Sequence, residues 1–352
     1  MIKLLTKIYK RVSAETIRTL LANKYYNWYV FSQQLSNALK RQIEPHYTFV
    51  NEELPNTNQK TVVVVHNGWT ESGGLADRLR GIVSVYMLCK DKGLDFRILF
   101  THPFPLEMFL VPNQYDWRIP NNQMTYTRPA ATPVCLEVGS ESYWQAQKQK
   151  SFLEKQIDSA NSSQIHVYTN ALFAYFDHYG LSFLELFKPS ERLQQAIDKE
   201  LSILGVDFIS VSARFMGVLG DFTDTMKTGV LPAEKKKRLI DACIQQIEAL
   251  HNEHPQMKVL VNSDSFFFLE QVKQLPYTYT IPGNITHLDV TNKEVTHEDI
   301  YKTYEKTFLD FFMIAHAQSI YRLESRWMRA SGFPHAASLI FGRPFHPINF
   351  SF

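Results

Sequence analysis

Short apolar runs alternate with amphipathic stretches along most of the chain. The first run, residues 62–65, consists of four valines, which is typical of a parallel strand covered on both faces. It ends at a polar, glycine-rich stretch, and Leu75, Leu79 and Ile82 then recur at helical spacing. The pattern predicts a buried strand, a turn in which Gly73 and Gly74 adopt positive φ, and a helix.

The same alternation continues to the end of the chain. Further strands are predicted at residues 94–101, 165–169, 208–214, 258–261, 277–281 and 320–323, and helices at residues 181–187, 190–204, 232–251, 265–275, 297–318 and 334–341. Residues 103–133 contain several prolines and lack a period, so they are predicted to be loops. Strands that alternate with helices build a parallel sheet, and ligands bind outside the carboxyl ends of its strands.

The length of 352 residues suffices for two domains of ordinary size. The predicted fold class is therefore α/β, with two Rossmann-like, doubly wound domains that face each other across a cleft. We expect an N-terminal helical segment at residues 1–60, a first domain at 61–200 and a second domain at 201–352.

The amino end differs from the rest because apolar and basic residues alternate there without a long apolar run. This pattern predicts a basic amphipathic helix. Such a helix could pack on the protein, or it could bind an anionic membrane surface peripherally through residues 1–34. The sequence leaves both alternatives open.

Composition and charge narrow the range of partners. The 37 Lys and Arg residues nearly balance the 35 Asp and Glu residues, so the net charge of +2 does not favour a nucleic-acid partner. The three cysteines and the scattered histidines lack the spacing of metal ligands, and neither a metal nor a cofactor is expected. Because no signal or anchor pattern is recognised, we expect a cytoplasmic location in a bacterium.

Two charged residues stand where predicted strands end. Arg214 closes the strand at 208–214, where a guanidinium can grip two phosphate oxygens of a leaving diphosphate, although an ordinary ion pair is the alternative. Asp264 follows the strand at 258–261, where it could cap the next helix or accept hydrogen bonds from a ribose or base.

Two further candidates belong to the last predicted helices. Asp310 interrupts a strongly apolar helix face, so its carboxylate should meet a donor such as Arg322 or a nucleotide base. Ser331, Gly332 and Phe333 precede the final helix, where they could hold a phosphate, stack on a base or form only a tight turn.

In order and spacing, these motifs resemble those of the fucosyltransferase superfamily, which includes α1,2-, α1,6- and protein O-fucosyltransferases. Residues 74–81, GLADRLRG, are similar to the family's first glycine-rich loop. Arg214 resembles the arginine that grips the donor diphosphate, with Ser212 at the position of a family histidine. Residues 259–265, 308–317 and 331–337 are similar to the later motifs.

The resemblance implies a two-domain GT-B fold and an inverting, metal-independent transfer of fucose from GDP-fucose to a glycan or lipid-linked saccharide. It implies that Arg214 stabilises the leaving GDP. The donor-binding set that it implies is Gly74, Arg214, Asp264, Asp310, Ser331, Gly332 and Phe333. Asp77 and Glu71 lie near the first loop, and Asp77 is our candidate catalytic residue beside Arg214.

Two other functions remain open at the level of the sequence. The protein could transfer a sugar from a different nucleotide sugar. It could also be a non-catalytic protein of the same fold that binds a nucleotide sugar or a glycan.

Overall fold

The computed structural model describes residues 37–50, 60–70, 72–136, 143–171, 173, 178–222, 229–286, 288 and 297–351, with residues 143–145 described by their backbone alone. The expected helix at residues 1–34 lies outside the described residues, as does Glu71.

The strands and helices are numbered here in chain order. The strands are β1 (Thr48–Phe49), β2 (Thr61–His66), β3 (Asp95–Phe100), β4 (Leu110–Pro112), β5 (Thr127–Arg128), β6 (Ala131–Leu136), β7 (Gln164–Thr169), β8 (Phe187–Pro189), β9 (Phe208–Ala213), β10 (Lys258–Ser263), β11 (Thr278–Tyr279), β12 (Ile320–Glu324) and β13 (Phe345–Asn349). The α-helices are α1 (Leu75–Lys92), α2 (Tyr143–Ser159), α3 (Tyr179–Leu186), α4 (Glu191–Leu204), α5 (Ala233–Glu253), α6 (Phe266–Val272), α7 (His297–His316) and α8 (Gly332–Ile340).

The N-terminal half contains a four-stranded sheet in the order β3-β2-β7-β6, and all its neighbouring strands are parallel. The valines of β2 are fully buried. Val62 and Val64 pack into one hydrophobic cluster, whereas Val63 and Val65 pack into another. Opposite faces of β2 are therefore both covered, which confirms the strand predicted from the valine run.

The C-terminal half contains a five-stranded parallel sheet in the order β11-β10-β9-β12-β13. Its central strand, β9, is buried along its whole length. Each strand predicted after residue 205 is present, and helices α5 to α8 occupy the predicted intervals. Two parallel sheets with crossover helices confirm the α/β class with two Rossmann-like units.

The prediction of loops for residues 103–133 was wrong in part. Strand β6 begins at Ala131 and includes Pro133. It forms the edge of the first sheet, where one side of the strand needs no partner, and proline is tolerated there. The short strands β4 and β8 form an antiparallel pair, and β1 pairs with β5 in parallel.

The two halves share one hydrophobic core. Phe109 from the N-terminal half stacks on Phe308 of α7 with ring centroids 4.2 Å apart, and Phe104 contacts Tyr304 at 4.8 Å. Helix α8 packs against both α1 and α3. The sheets are thus joined by packed side chains. The boundary near residue 200 stays a prediction, and it falls within α4.

No helix in the described part of the chain is long and apolar enough to cross a membrane.

Candidate active site

A cleft lies between the two halves, at the carboxyl ends of β9 and β10. It encloses about 840 Å³ that protein atoms do not occupy and that is partly open to solvent. The N-terminal half contributes the start of α1, and the C-terminal half contributes the ends of β9 and β10, the middle of α7 and the start of α8. Of the predicted residues, Gly74, Arg214, Asp264, Asp310, Ser331 and Phe333 line this cleft. Asp77 and Gly332 are not among its lining residues.

Arg214 directly follows β9, so its side chain enters the cleft at the end of the central strand. Its backbone carbonyl accepts a hydrogen bond of 3.1 Å from the Arg329 N–H. This contact ties the end of β9 to the segment that follows β12. A guanidinium held here presents planar donors to an anion in the cleft.

Asp264 fixes the turn that follows Arg214. Its carboxylate oxygens accept hydrogen bonds from the backbone N–H groups of Phe215 (2.7 Å) and Met216 (2.8 Å), and Met216 has a positive φ of 52°. Burial raises the pKa of Asp264, whereas the two N–H groups and Arg214 lower it. The alternative that Asp264 caps the next helix was wrong, because the Ser265 side chain caps α6.

Asp310 belongs to a buried polar network on the floor of the cleft. Its Oδ1 accepts hydrogen bonds from Asn262 Nδ2 (2.9 Å) and Lys306 Nζ (3.0 Å), and Lys306 Nζ is also 3.0 Å from Oδ2. Lys306 donates in addition to the Ile281 carbonyl at 2.8 Å. Burial raises the pKa of Asp310, while Lys306 and Asn262 lower it by stabilising the carboxylate.

The sequence reasoning missed Lys306 and Asn262, although signals for both were present. Lys306 lies four residues before Asp310, the spacing that brings side chains together on a helix. Asn262 is the penultimate residue of β10, two residues before Asp264, near the strand end where ligand-facing residues are expected. Arg322, which the sequence offered as a partner for Asp310, instead donates to the carbonyl of Ser331 at 2.7 Å and pairs with Glu324.

The start of α8 forms another wall of the cleft. Ser331 is the N-cap residue, and its Oγ accepts a hydrogen bond from the Phe333 N–H at 3.3 Å. The start of a helix carries a partial positive charge, although the Phe333 N–H is taken by Ser331 and Pro334 has no N–H to donate. Ser331 and Phe333 line the cleft, whereas Gly332 is exposed beside them.

The glycine-rich loop brings Gly74 to the cleft, whereas the contacts of Asp77 lie within this loop and the first turns of α1. Asp77 Oδ2 accepts a hydrogen bond from the Gly74 N–H at 3.1 Å, and Oδ1 forms a 3.0 Å ion pair with Arg80. Asp77 therefore caps the first turn of α1. Its side chain is 39% exposed. The role of Asp77 as a catalytic base stays a prediction.

Asp221 is held at the start of α6, beside the cleft. Its Oδ2 accepts hydrogen bonds from Ser265 Oγ (2.8 Å) and the Phe267 N–H (2.7 Å) at the start of α6. Its neighbour Phe222 lines the cleft. Among the described residues, no group of three His, Cys, Asp or Glu side chains is placed to hold a metal ion.

Comparison with solved structures identifies the fold. The fucosyltransferase NodZ from Bradyrhizobium matches with a TM-score of 0.54 at 15% sequence identity, over 84% of this chain and 96% of that chain. NodZ α-1,6-fucosyltransferase soaked with GDP-fucose gives a TM-score of 0.51 at 14% identity, over 80% of this chain and 93% of that chain. The chain has the fucosyltransferase fold of the GT-B type.

FUT1 of Arabidopsis thaliana, in complex with GDP, shares this fold with a TM-score of 0.50 at 12% identity, over 93% of this chain and 78% of that chain. No protein-family model and no curated protein matches the sequence. The fucosyltransferase fold is therefore recognised from the three-dimensional structure. At these sequence identities the similarity establishes the fold alone.

Proposed function

We propose that this protein is an inverting, metal-independent glycosyltransferase that moves fucose from GDP-fucose to a glycan or a lipid-linked saccharide. The observation that carries this proposal is the cleft itself. It combines an arginine at the end of the central strand, a buried carboxylate on a facing helix and a glycine-rich loop from the other half. NodZ and FUT1, which share the fold, have been solved with GDP or GDP-fucose.

The charges of the cleft suit a guanosine diphosphate. Asp310 presents acceptor oxygens, which match the N1–H and N2–H donors of guanine. Arg214 and the N-terminus of α8 supply positive charge for the diphosphate. Asp264 would act mainly through Arg214, because its carboxylate holds the turn that follows this residue.

In the proposed reaction, an acceptor hydroxyl attacks the anomeric carbon of fucose from the side opposite the diphosphate. The bond between that carbon and the β-phosphate oxygen breaks, and its electron pair remains on GDP. Negative charge therefore grows beside Arg214, which stabilises it without a metal. The hydroxyl proton passes to a base, for which we propose Asp77. Proton uptake by Asp77 would compete with its contacts to Gly74 and Arg80.

Replacing Arg214 tests this proposal. We expect Arg214→Ala to lower turnover of GDP-fucose by about 100-fold or more, because one charge-assisted contact to the leaving group is lost. The measurement is release of GDP, with and without acceptor sugars, and circular dichroism checks that the variant folds. Arg118→Ala is the control, since Arg118 is exposed and its guanidinium pairs with Asp116 at the surface.

A panel of nucleotide sugars separates the alternatives. If another donor is bound and turned over while GDP-fucose is not, the fucose assignment is wrong but the transferase assignment holds. If nucleotide sugars bind but are not turned over with any of the acceptors, the protein is a binding protein of this fold. Wild-type activity in Arg214→Ala would contradict the mechanism. We further propose that the protein acts in the cytoplasm.

A further inference from the structure

A surface that combines exposed apolar side chains with cations borders the cleft on the C-terminal half. We call it the C-terminal rim. It consists of Val230, Lys235, Lys236, Phe267, Arg326 and Trp327.

Contacts between these segments show that the rim is continuous. The Phe267 N–H donates to Asp221, and a Cβ atom built on the adjacent Gly220 would lie 3.1 Å from both Val230 Cγ1 and Lys236 Nζ. Farther along, Lys235 Nζ lies 5.5 Å from the ring centroid of Trp327.

Arg326 flanks the same Trp327 ring, with its guanidinium carbon 5.1 Å from the ring centroid. The start of α6, the start of α5 and the segment after β12 therefore form a single surface.

The rim adjoins residues that line the cleft. Phe222, next to Asp221, lines the cleft directly. On the other side, the Arg329 N–H donates to the carbonyl of Arg214, so the segment that carries Arg326 and Trp327 is tied to the end of β9. A surface that binds the rim would consequently lie close to the cleft.

The composition of the rim is unusual for solvent-exposed protein surface. Val230 and Phe267 are 59% and 58% exposed. Lys235 and Arg326 are also exposed, and within the described ranges neither they nor Lys236 have a carboxylate oxygen within 4.0 Å. Two nearby acids have other partners. Asp221 is hydrogen-bonded to the start of α6, and Asp241 pairs with Lys237.

We infer that the C-terminal rim docks on an anionic lipid surface. Exposed bulky apolar side chains next to uncompensated cations are the combination that binds the headgroup region of membranes, where the apolar groups insert and the cations attract anionic lipids. A soluble anionic polymer would engage the cations, but it would give no reason for exposed Val230, which has no ring to stack on a base or a sugar.

Docking in this way would present the cleft to the lipid–water interface. If the proposed transferase function holds, the acceptor is then a saccharide attached to a lipid. Membrane binding itself does not depend on the donor, and this allows the two proposals to be tested separately.

Vesicle co-sedimentation of the full chain tests the inference. The vesicles contain either phosphatidylcholine alone or phosphatidylcholine with about 30 mol% phosphatidylglycerol, a charge density chosen to attract basic patches. We expect binding only to the anionic vesicles, with a decrease as salt is raised because the charges are screened.

Two rim variants and one matched control identify the surface. Replacing Lys235, Lys236 and Arg326 together by Gln should weaken binding by about tenfold or more. Val230→Ser with Phe267→Ser should weaken it independently of salt. The control replaces three exposed lysines elsewhere, Lys155, Lys188 and Lys199, by Gln and so removes the same charge. It should bind like the unmodified protein.

Deletion of residues 1–34 separates the rim from the amphipathic amino end. Binding that disappears with this deletion and is unaffected by both rim variants would overturn the inference. So would the absence of binding to anionic vesicles, or binding of soluble polyanions such as heparin but not of vesicles. GDP binding, measured on the same samples, should remain unchanged in the rim variants. If the unmodified protein does not bind GDP, the result would contradict the proposed function and leave the membrane inference unaffected.

Discussion

At the scale of single residues, the pairing of Lys306 with Asp310 decides the chemistry of the cleft floor. A carboxylate as buried as Asp310 is costly to ionise, and burial accordingly raises its pKa. Lys306, itself only 4% exposed, opposes this effect through contacts of 3.0 Å to both carboxylate oxygens. Lys306 thus favours the ionised form, which is the form that can accept hydrogen bonds from guanine.

We expect Lys306→Met to weaken GDP binding by about tenfold or more, since a charge-assisted contact of the buried carboxylate is removed. The pKa of Asp310 should rise further, so the acid-side loss of GDP affinity should begin at higher pH than in the unmodified protein. Calorimetric titration with GDP over a pH series measures both effects. Lys302→Met, one turn earlier on α7 and exposed, is the control.

As the pH rises, ionisation of Asp310 should change folding stability in the direction opposite to its effect on GDP affinity. Because the folded pKa of Asp310 lies above its unfolded value, the folded chain binds the proton more tightly. The stabilisation by this group is fully present below the unfolded pKa and is lost as the pH rises through the folded pKa. GDP affinity that fell as Asp310 became ionised at rising pH would contradict the proposed role of the carboxylate.

At the scale of elements, two glycines set how closely helices approach their neighbours. A Cβ atom on Gly81 of α1 would lie 2.7 Å from the Thr169 carbonyl at the end of β7. A Cβ atom on Gly180 of α3 would lie 2.7 Å from the Ile340 carbonyl of α8, and the Leu339 carbonyl is closer still. The second contact joins the two halves of the molecule.

We expect Gly180→Ala to lower the free energy of unfolding by about 1–3 kcal/mol, because the added methyl group meets backbone atoms that cannot move aside easily. Alanine would otherwise favour a helix over glycine. Urea denaturation followed by circular dichroism measures the change. Gly229→Ala should be nearly neutral, because no atom of the described residues lies within 4 Å of the added carbon. Equal stability of the two variants would refute the close approach of α3 and α8.

Elements with a clear period were predictable, and elements without one were not. The valines of β2 and the alternation after Gly205 identify their strands because burial on both faces requires continuous apolar runs. Strand β6 escaped prediction because its proline is acceptable only at a sheet edge, and edge position depends on the order of the strands. Strand β13 pairs with β12, and the local sequence pattern likewise does not reveal this pairing.

At the scale of the whole molecule, the shared core joins both sheets into one cooperative structure. Phe109 is fully buried, and it stacks on Phe308 and Tyr301 of α7 with centroids 4.2 and 4.8 Å away. Helix α4 adds an interaction between Arg192 and Glu298 across the same junction. The position of Arg214 relative to Gly74 consequently depends on this packing.

We expect Phe109→Ala to lower the free energy of unfolding by about 3–5 kcal/mol, since a large buried ring is removed. Hydrogen exchange should show β2 and β9 losing protection together, because they unfold as one unit. Loss of protection in β2 alone would show that the two halves are independent. Phe49→Ala is the control, because Phe49 is 75% exposed and should change stability little.

The sequence by itself determined most strands of the two parallel sheets, most of the helices between them and the polar residues that follow several strands, whereas β6, β13 and α2 were not predicted. These features are local, since periodicity and strand ends can be read without knowing what lies across the cleft. Arg214, Asp264, Asp310 and Ser331 were all found in this way.

Only the tertiary structure decided what each polar residue does. Asp264 supports the turn after Arg214, Asp310 is held by Lys306 and Asn262, and Asp77 caps its own helix. The contacts of Asp264 with the turn after Arg214, and of Asp310 with Asn262, join chain segments that lie far apart in the sequence. The contacts of Lys306 and Asp77 are local. The reason is physical: a buried charge is defined by the donors that surround it, and folding alone brings those donors together.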